Sequence, residues 1–287
     1  MFLRFPEIVP GYKKDNTLIF KKIPYALFSI EKAEGKKTVF LTEHTLLFIL
    51  NGEKQIHLNE ETIHVSKNEI IFLRKGIYAM SEYFPKDENF EVLLIFIPDT
   101  FLQKFIFDYQ SNPLQQYNHP YFLITSNDLL SSFKNHYKLY FGKSLNNLQY
   151  ILDIKLQELF LILIASTNKP DLLNFINSLV NSSPIDLDFI VRKHLFEPVT
   201  IPELAKLSGR STASFKRDFE RRFSSSPRQW INQQRLQQAK LLLSNTSKNI
   251  NEISFECGYE SVSHFIKIFK AEFGTTPTYT RKQSALL

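Results

Sequence analysis

At 287 residues and 43% apolar content, the chain is long enough for two domains with cores of their own, at roughly 100–200 residues each, and its longest apolar run, Leu159–Ala165, is far short of the ~20 residues that cross a bilayer. A single cysteine, Cys257, excludes an internal disulfide and a Cys-rich zinc site, and eight glycines, none closer than sixteen residues to another, exclude a GxGxxG turn and a Walker loop. The net charge of +6 lies wholly in residues 184–287, with 16 Lys+Arg against 10 Asp+Glu, while residues 1–183 balance at 19 of each.

That split, with eight of the ten arginines in the basic part, fits a nucleic-acid binder joined to a neutral regulatory partner, because phosphate neutralisation supplies most non-specific affinity. The first fifteen residues carry Arg4, Glu7, Lys13 and Lys14 with no apolar stretch of signal-peptide length, and the lone cysteine suits a reducing compartment. A soluble cytoplasmic protein without a membrane role or a cofactor is therefore expected.

From Asn16 to about Ile97 the pattern is one of short strands, at Leu18–Phe20, Tyr25–Ile30, Thr45–Leu50, Lys54–Leu58, Thr62–Ser66, Glu69–Leu73, Tyr78–Tyr83 and Glu91–Ile97. Asn51-Gly52 between two apolar runs predicts a hairpin, and six to eight antiparallel strands with tight turns predict a small barrel or jelly roll. After Pro98 the pattern turns helical, at 99–109, 126–141 and 148–166 within a helical region that extends to about 180. The third helix lines up Leu148, Leu152, Leu156, Leu159 and Leu163 on one face, either as core against the barrel or as a dimer seam.

Asn181-Ser-Ser-Pro184 marks the domain boundary. Beyond it, helices are predicted at about 185–196, 201–208, 211–223, 227–244, 250–257, 261–273 and from 277, with capping boxes at Thr200/Glu203, Ser226/Gln229 and Asn249/Glu252. This part repeats with a period of 50: Phe215, Phe219, Phe223 and Pro227 recur as Phe265, Phe269, Phe273 and Pro277, Arg217 as Lys267, and Ser211 as Ser261. Each copy reads as a short helix, a turn holding Gly209 or Gly258, and a second helix, which is the layout of a helix-turn-helix. The second helix buries its Phe stripe and leaves the opposite face for a DNA groove. On a 100° wheel Arg217 lies about 160° from the first stripe, with Arg210, Ala213 and Arg221 beside it, and Lys267 and Ser263 take the corresponding places in the second copy. Arg222, next to Phe223, reaches phosphate rather than bases. The helix between the copies rises about 28 Å, enough to hold two reading helices close to one duplex turn apart.

Residues 184–287 resemble the DNA-binding domain of the AraC/XylS family of bacterial transcription regulators. The signature stands as Ile253-Ser-Phe-Glu-Cys-Gly-Tyr-Glu-Ser-Val-Ser-His-Phe-Ile-Lys-Ile-Phe-Lys270, then Phe273-Gly274-Thr-Thr-Pro277. It departs from the family at Ser254, usually Ala, and at Thr280, usually aromatic, with Tyr279 one residue early. The resemblance implies base reading by Ala213, Lys216 and Arg217 in the first copy and by Val262, Ser263, Ile266 and Lys267 in the second, with His264 near the backbone. It also implies double-stranded DNA and RNA polymerase as partners, a homodimer, and activation more often than repression.

Residues 1–183 resemble the cupin-like sensor domains of that family, and more faintly those whose sensor binds a protein, so either a small-molecule effector or a regulatory protein is expected. The chain as a whole is expected to be α+β: an N-terminal cupin-like antiparallel β-barrel with following helices, then an all-α double helix-turn-helix domain. A rival reading is a cupin-type metalloenzyme with a DNA-binding appendage. Metal-binding cupins need clustered histidines, whereas His44, His57 and His64 stand apart, and the alternation around His57 and His64 puts both on a polar face. No metal is expected. Cys257, beside Gly258 in a helix, reads as a small buried apolar residue.

Overall fold

The computed structural model describes residues 2–6, 17–20, 23–31, 35–58, 61–85, 88–109, 117, 119–143, 145–181 and 186–284. The chain divides into two compact units, Met1–Ser182 and Ser183–Leu287; residues 182–185, which include most of the expected boundary, lie outside the described residues.

The first unit holds strands β1 (Phe2–Phe5), β2 (Thr17–Phe20), β3 (Ile23–Ile30), β4 (Lys37–Leu41), β5 (His44–Asn51), β6 (Glu53–His57), β7 (Thr62–Ser66), β8 (Glu69–Leu73), β9 (Gly76–Tyr83), β10 (Phe90–Ile97) and β11 (Tyr121–Thr125), with helices α1 (Asp99–Tyr109), α2 (Asp128–Lys138), α3 (Leu148–Ser166) and α4 (Lys169–Val180). The strands do not close into the expected barrel. They form two sheets, ordered β1-β4-β9-β6-β7 and β11-β8-β5-β10-β3-β2, and β1 runs parallel to β4 in an otherwise antiparallel arrangement. Nor is Asn51-Gly52 a hairpin turn, because β5 pairs with β8 and β10 while β6 pairs with β7 and β9. The reason is burial. β6 alternates buried and half-buried residues, whereas β5 is buried on both faces from His44 to Ile49, so the two strands cannot share one environment. The Asn-Gly turn is a corner between sheets; Gly52 has φ +80°, and a Cβ there would stand 2.8 Å from the Tyr83 carbonyl.

The two-faced burial of β5 and β8 comes from the helices. Phe48 meets Phe133 of α2 at 6.3 Å, and Phe72 meets Phe160 of α3 at 6.0 Å and Phe175 of α4 at 5.2 Å. Leu152, Leu156, Leu159 and Leu163 are all buried in this core, which settles the leucine face of α3 as packing rather than an exposed seam. The opposite side of the same helix exposes Tyr150, Ile154 and Leu161.

The second unit contains α5 (Leu187–Lys193), α6 (Ile201–Leu207), α7 (Thr212–Phe223), α8 (Pro227–Asn245), α9 (Ile250–Glu256), α10 (Val262–Phe273) and α11 (Pro277–Ser284). The sequence repeat is also a repeat of local hydrogen bonds. Arg210 N–H donates to Ala205 O at 2.9 Å and Tyr259 N–H to Ser254 O at 3.1 Å, and Ser211 and Ser261 cap α7 and α10 through Ser214 N–H and His264 N–H. Both reading helices end on a left-handed residue, Ser224 at φ 52° and Gly274 at φ 74°. Thr200/Glu203 and Asn249/Glu252 form capping boxes. At Ser226 the cap is one-sided, because its hydroxyl accepts from Gln229 N–H and also donates to the Gln229 side-chain oxygen. The last helix docks although the family's aromatic is missing: Thr280 is buried, its hydroxyl donates to Thr276 O at 3.2 Å, and Arg281 donates to Lys248 O.

Candidate nucleic-acid interface

The rotation of each reading helix about its axis is fixed by aromatic burial. Phe215 and Phe219 of α7 are fully buried, and the Phe223 ring packs at a tilt 4.4 Å from Phe219 and 4.6 Å from Trp230. In α10, Phe265 and Phe269 are fully buried, with Phe273 4.7 Å from Phe269 and Tyr259 5.2 Å from Phe265. A helix with one face pinned in this way must turn the other outward. Ala213, Lys216, Arg217, Arg221 and Arg222 are exposed on α7, as are Ser263, His264, Ile266 and Lys267 on α10, while Val262 is half-buried.

The cations are not equivalent. Arg210, on the turn before α7, is half-buried; its Nε lies 3.3 Å from Asp218 Oδ2 and its Nη1 donates to Ser208 O at 3.1 Å, so it braces the turn. Arg221 Nη1 lies 3.8 Å from Asp218 Oδ1. Lys216, Arg217, Arg222 and Lys267 have no ion-pair partner among the described residues. Three of these four stand on α7. That helix can offer long cations to guanine O6/N7 or to phosphate, whereas on α10 Lys267 stands among small and apolar side chains suited to contacts such as a thymine methyl, with Lys270 in the last turn. Asp218, which the sequence reading passed over, orders this surface by holding Arg210 and approaching Arg221. Its place between Arg217 and Phe219 on a cationic helix was the available signal.

Cys257 is fully buried, and that burial pushes its thiol up to about 12, well away from a reactive thiolate. In the first unit His57 is half-buried, with Nε2 2.8 Å from Ser81 Oγ, and His64 is exposed with Nδ1 2.7 Å from Glu53 Oε1. His44 is fully buried: Lys75 N–H donates to its Nδ1 at 3.1 Å, and its Nε2 lies 3.2 Å from Asp99 Oδ1. Burial lowers its pKa more than Asp99 raises it. Desolvation of Asp99 is outweighed by bonds to His44 and Lys75, so its carboxyl is held well below the usual range. Among the described residues, no three His, Cys, Asp or Glu side chains gather as a metal group, and no helix is long and apolar enough to cross a membrane.

A helix-turn-helix domain model matches residues 204–283, and a model described as the ExsA N-terminal regulatory domain matches residues 44–175. The chain is 24% identical over 281 residues to the HTH-type transcriptional regulator ExsA of Pseudomonas aeruginosa, covering 94% of each chain. It is 26% identical over 275 residues to the virulence regulon transcriptional activator VirF of Yersinia enterocolitica, covering 89% of this chain and 97% of that one. Among solved structures, ToxT from Vibrio cholerae aligns with a TM-score of 0.41 at 17% identity, over 90% of this chain and 97% of that one. With two helix-turn-helix units preceded by a regulatory domain, the chain is a DNA-binding transcription regulator of the AraC/XylS family.

Proposed function

We propose that the protein activates transcription in the cytoplasm by seating α7 and α10 in successive major grooves of double-stranded DNA, under the control of an effector or protein partner acting on residues 1–183. The observation that carries this reading is the pair of exposed polar and cationic faces, each set opposite a buried Phe stripe, at the two ends of a 19-residue helix. At 1.5 Å per residue α8 spans about 28 Å, which suits grooves about one duplex turn apart. Arg217 and Lys267 read bases, Ala213, Lys216, Val262, Ser263 and Ile266 supply the neighbouring contacts, and Arg221, Arg222 and His264 meet the backbone. Arg210 acts through Asp218 by holding α7 in place.

Activation follows the relatives, among which VirF is named an activator, and contact with RNA polymerase follows from the family resemblance alone. Residues 1–183 and 184–287 act as separate modules, and the first brings two copies together through the outer face of α3, where Tyr150, Ile154 and Leu161 are exposed. The test is a salt titration. A fragment spanning residues 184–287 is expected to fold as helix and to bind duplex DNA with log affinity falling linearly in log salt, at about 0.9 per phosphate neutralised. A folded fragment whose affinity for duplex DNA does not depend on salt would overturn the proposal.

A further inference from the structure

One charged side chain interrupts the apolar stripe of α8. Ile231, Arg235, Ala239 and Leu243 follow one another at four-residue spacing, and all four are buried. The Arg235 guanidinium donates from Nε to Leu195 O at 2.7 Å, from Nη1 to Gly258 O at 2.8 Å and from Nη2 to Glu197 O. No carboxylate pairs with it among the described residues; carbonyl dipoles satisfy it, and the Tyr259 ring lies 5.7 Å away.

These three carbonyls belong to different halves of the domain. Leu195 and Glu197 lie in the short loop that leads from α5 into α6, the first helix of the first helix-turn-helix unit, and the loop is held locally by Glu197 N–H donating to His194 O at 3.2 Å and Val199 N–H to Glu197 O at 2.7 Å. Gly258 is the turn of the second unit. Its φ is +81°, and a Cβ there would stand 2.8 Å from Phe196 O and 2.9 Å from Arg235 Cζ. The turn of the second unit therefore presses directly on the loop of the first, with the guanidinium bonded to both.

We propose that Arg235 is a positioning residue that fixes the distance and phase between the two reading helices, and so sets the separation of the two base blocks the protein accepts. The inference rests on the two-groove reading above. Apolar packing of Leu236, Ala239 and Leu243 against Ile253, Phe265 and Phe269 holds the second unit to the connector, but such contacts are non-directional, and the three bonds of Arg235 add direct, directional ties between the turn of that unit and the loop of the first. A planar guanidinium holds three acceptors at fixed angles, which neither an ammonium nor an amide can do. One inserted base pair moves the second block by about 3.4 Å and turns it by roughly 35°, a change that a clamped pair of helices resists and a loosened pair absorbs.

The test uses the full chain and a pool of random-sequence duplexes. The wild-type protein is expected to select two preferred blocks at one separation, and one base pair inserted between them is expected to weaken binding about tenfold, the size of a single mismatch. Arg235→Gln is expected to select the same two blocks at several separations, with the insertion penalty reduced to about twofold. A merely structural role would weaken binding to every duplex alike and leave the tenfold penalty in place, which overturns the proposal. Should Arg235→Gln unfold, Arg235→Lys, which keeps the charge without the fork, is read in the same way; unfolding of both variants overturns the proposal too. Selection of a single block by the wild-type protein would sink the two-groove reading itself, and this inference with it.

Discussion

Two substitutions on opposite sides of α3 separate its roles. Leu159 is fully buried in the core of the first unit, whereas Ile154 is 64% exposed. Truncating Leu159 to Ala removes three carbon centres, worth about 0.8 kcal/mol each as transfer, and the residual cavity raises the cost to about 2.7–5 kcal/mol. At roughly 2–4 °C per kcal/mol for a unit of this size, the melting temperature is expected to fall by about 5–20 °C with the oligomeric mass unchanged. Leu159→Glu adds the desolvation of a carboxylate, several kcal/mol more, against a total stability of about 5–15 kcal/mol, and the unit is expected to unfold. Ile154→Glu is expected to change stability by no more than about 0.5 kcal/mol while shifting the mass toward that of a monomer. Thermal melts followed by circular dichroism, with light-scattering masses, read all three. A Leu159→Glu variant that melts like the wild type and is monomeric would show that the leucine face is the seam after all.

Three smaller changes probe other parts of the molecule. Ser224 holds a left-handed conformation at φ 52° where the second copy has Gly274, so Ser224→Gly is expected to raise stability by about 0.5–1 kcal/mol; a lower urea midpoint would contradict this. Ser254 is fully buried and its hydroxyl has no hydrogen-bond partner among the described residues, so Ser254→Ala is expected to stabilise by about 1 kcal/mol, and a loss of stability would mean that the hydroxyl is satisfied. His44 has a folded pKa below its ordinary 6.5; the unfolded chain therefore takes the proton first as pH falls, and stability present above about pH 6.5 is lost as pH drops below it. His44→Gln is expected to flatten the fall in urea midpoint between pH 7.5 and 5.5, and an unchanged slope would refute that assignment.

The second unit was legible because its chemistry is local. Caps at Ser211 and Ser261, glycine turns at Gly209 and Gly258, and Phe residues at four-residue spacing each specify structure within one or two turns of chain. The first unit depends on long-range pairing. Asn51-Gly52 marks a sharp turn, but whether the chain re-enters the same sheet depends on what covers Phe48 and Phe72, and the covering side chains Phe133, Phe160 and Phe175 lie 85 to 103 residues further along the chain. Strands β1, β4 and β11 were missed for a related reason: at four or five residues each they carry little pattern of their own, and they are strands only because a neighbour pairs with them. The leucine face of α3 was visible from spacing, but spacing cannot say what covers a face. At the interface, periodicity located Arg217 and Lys267 on the exposed sides. It could not show that Arg210 turns inward to Asp218, nor that Arg235 holds carbonyls from both halves, since both depend on contacts across turns.

The central claim is that two helices read two grooves, and its most direct test is a binding titration of Arg217→Ala, Lys267→Ala and Arg222→Ala against single-base variants of a selected duplex at two salt concentrations. Arg217→Ala is expected to cost about 1–3 kcal/mol and to relax preference at one or two base pairs, and Lys267→Ala to do the same about ten base pairs away. Arg222→Ala is expected to weaken all sequences alike and to lower the salt slope by about one. If Arg217→Ala and Lys267→Ala alter preference at the same base pairs, or at none, α7 and α10 do not occupy separate grooves.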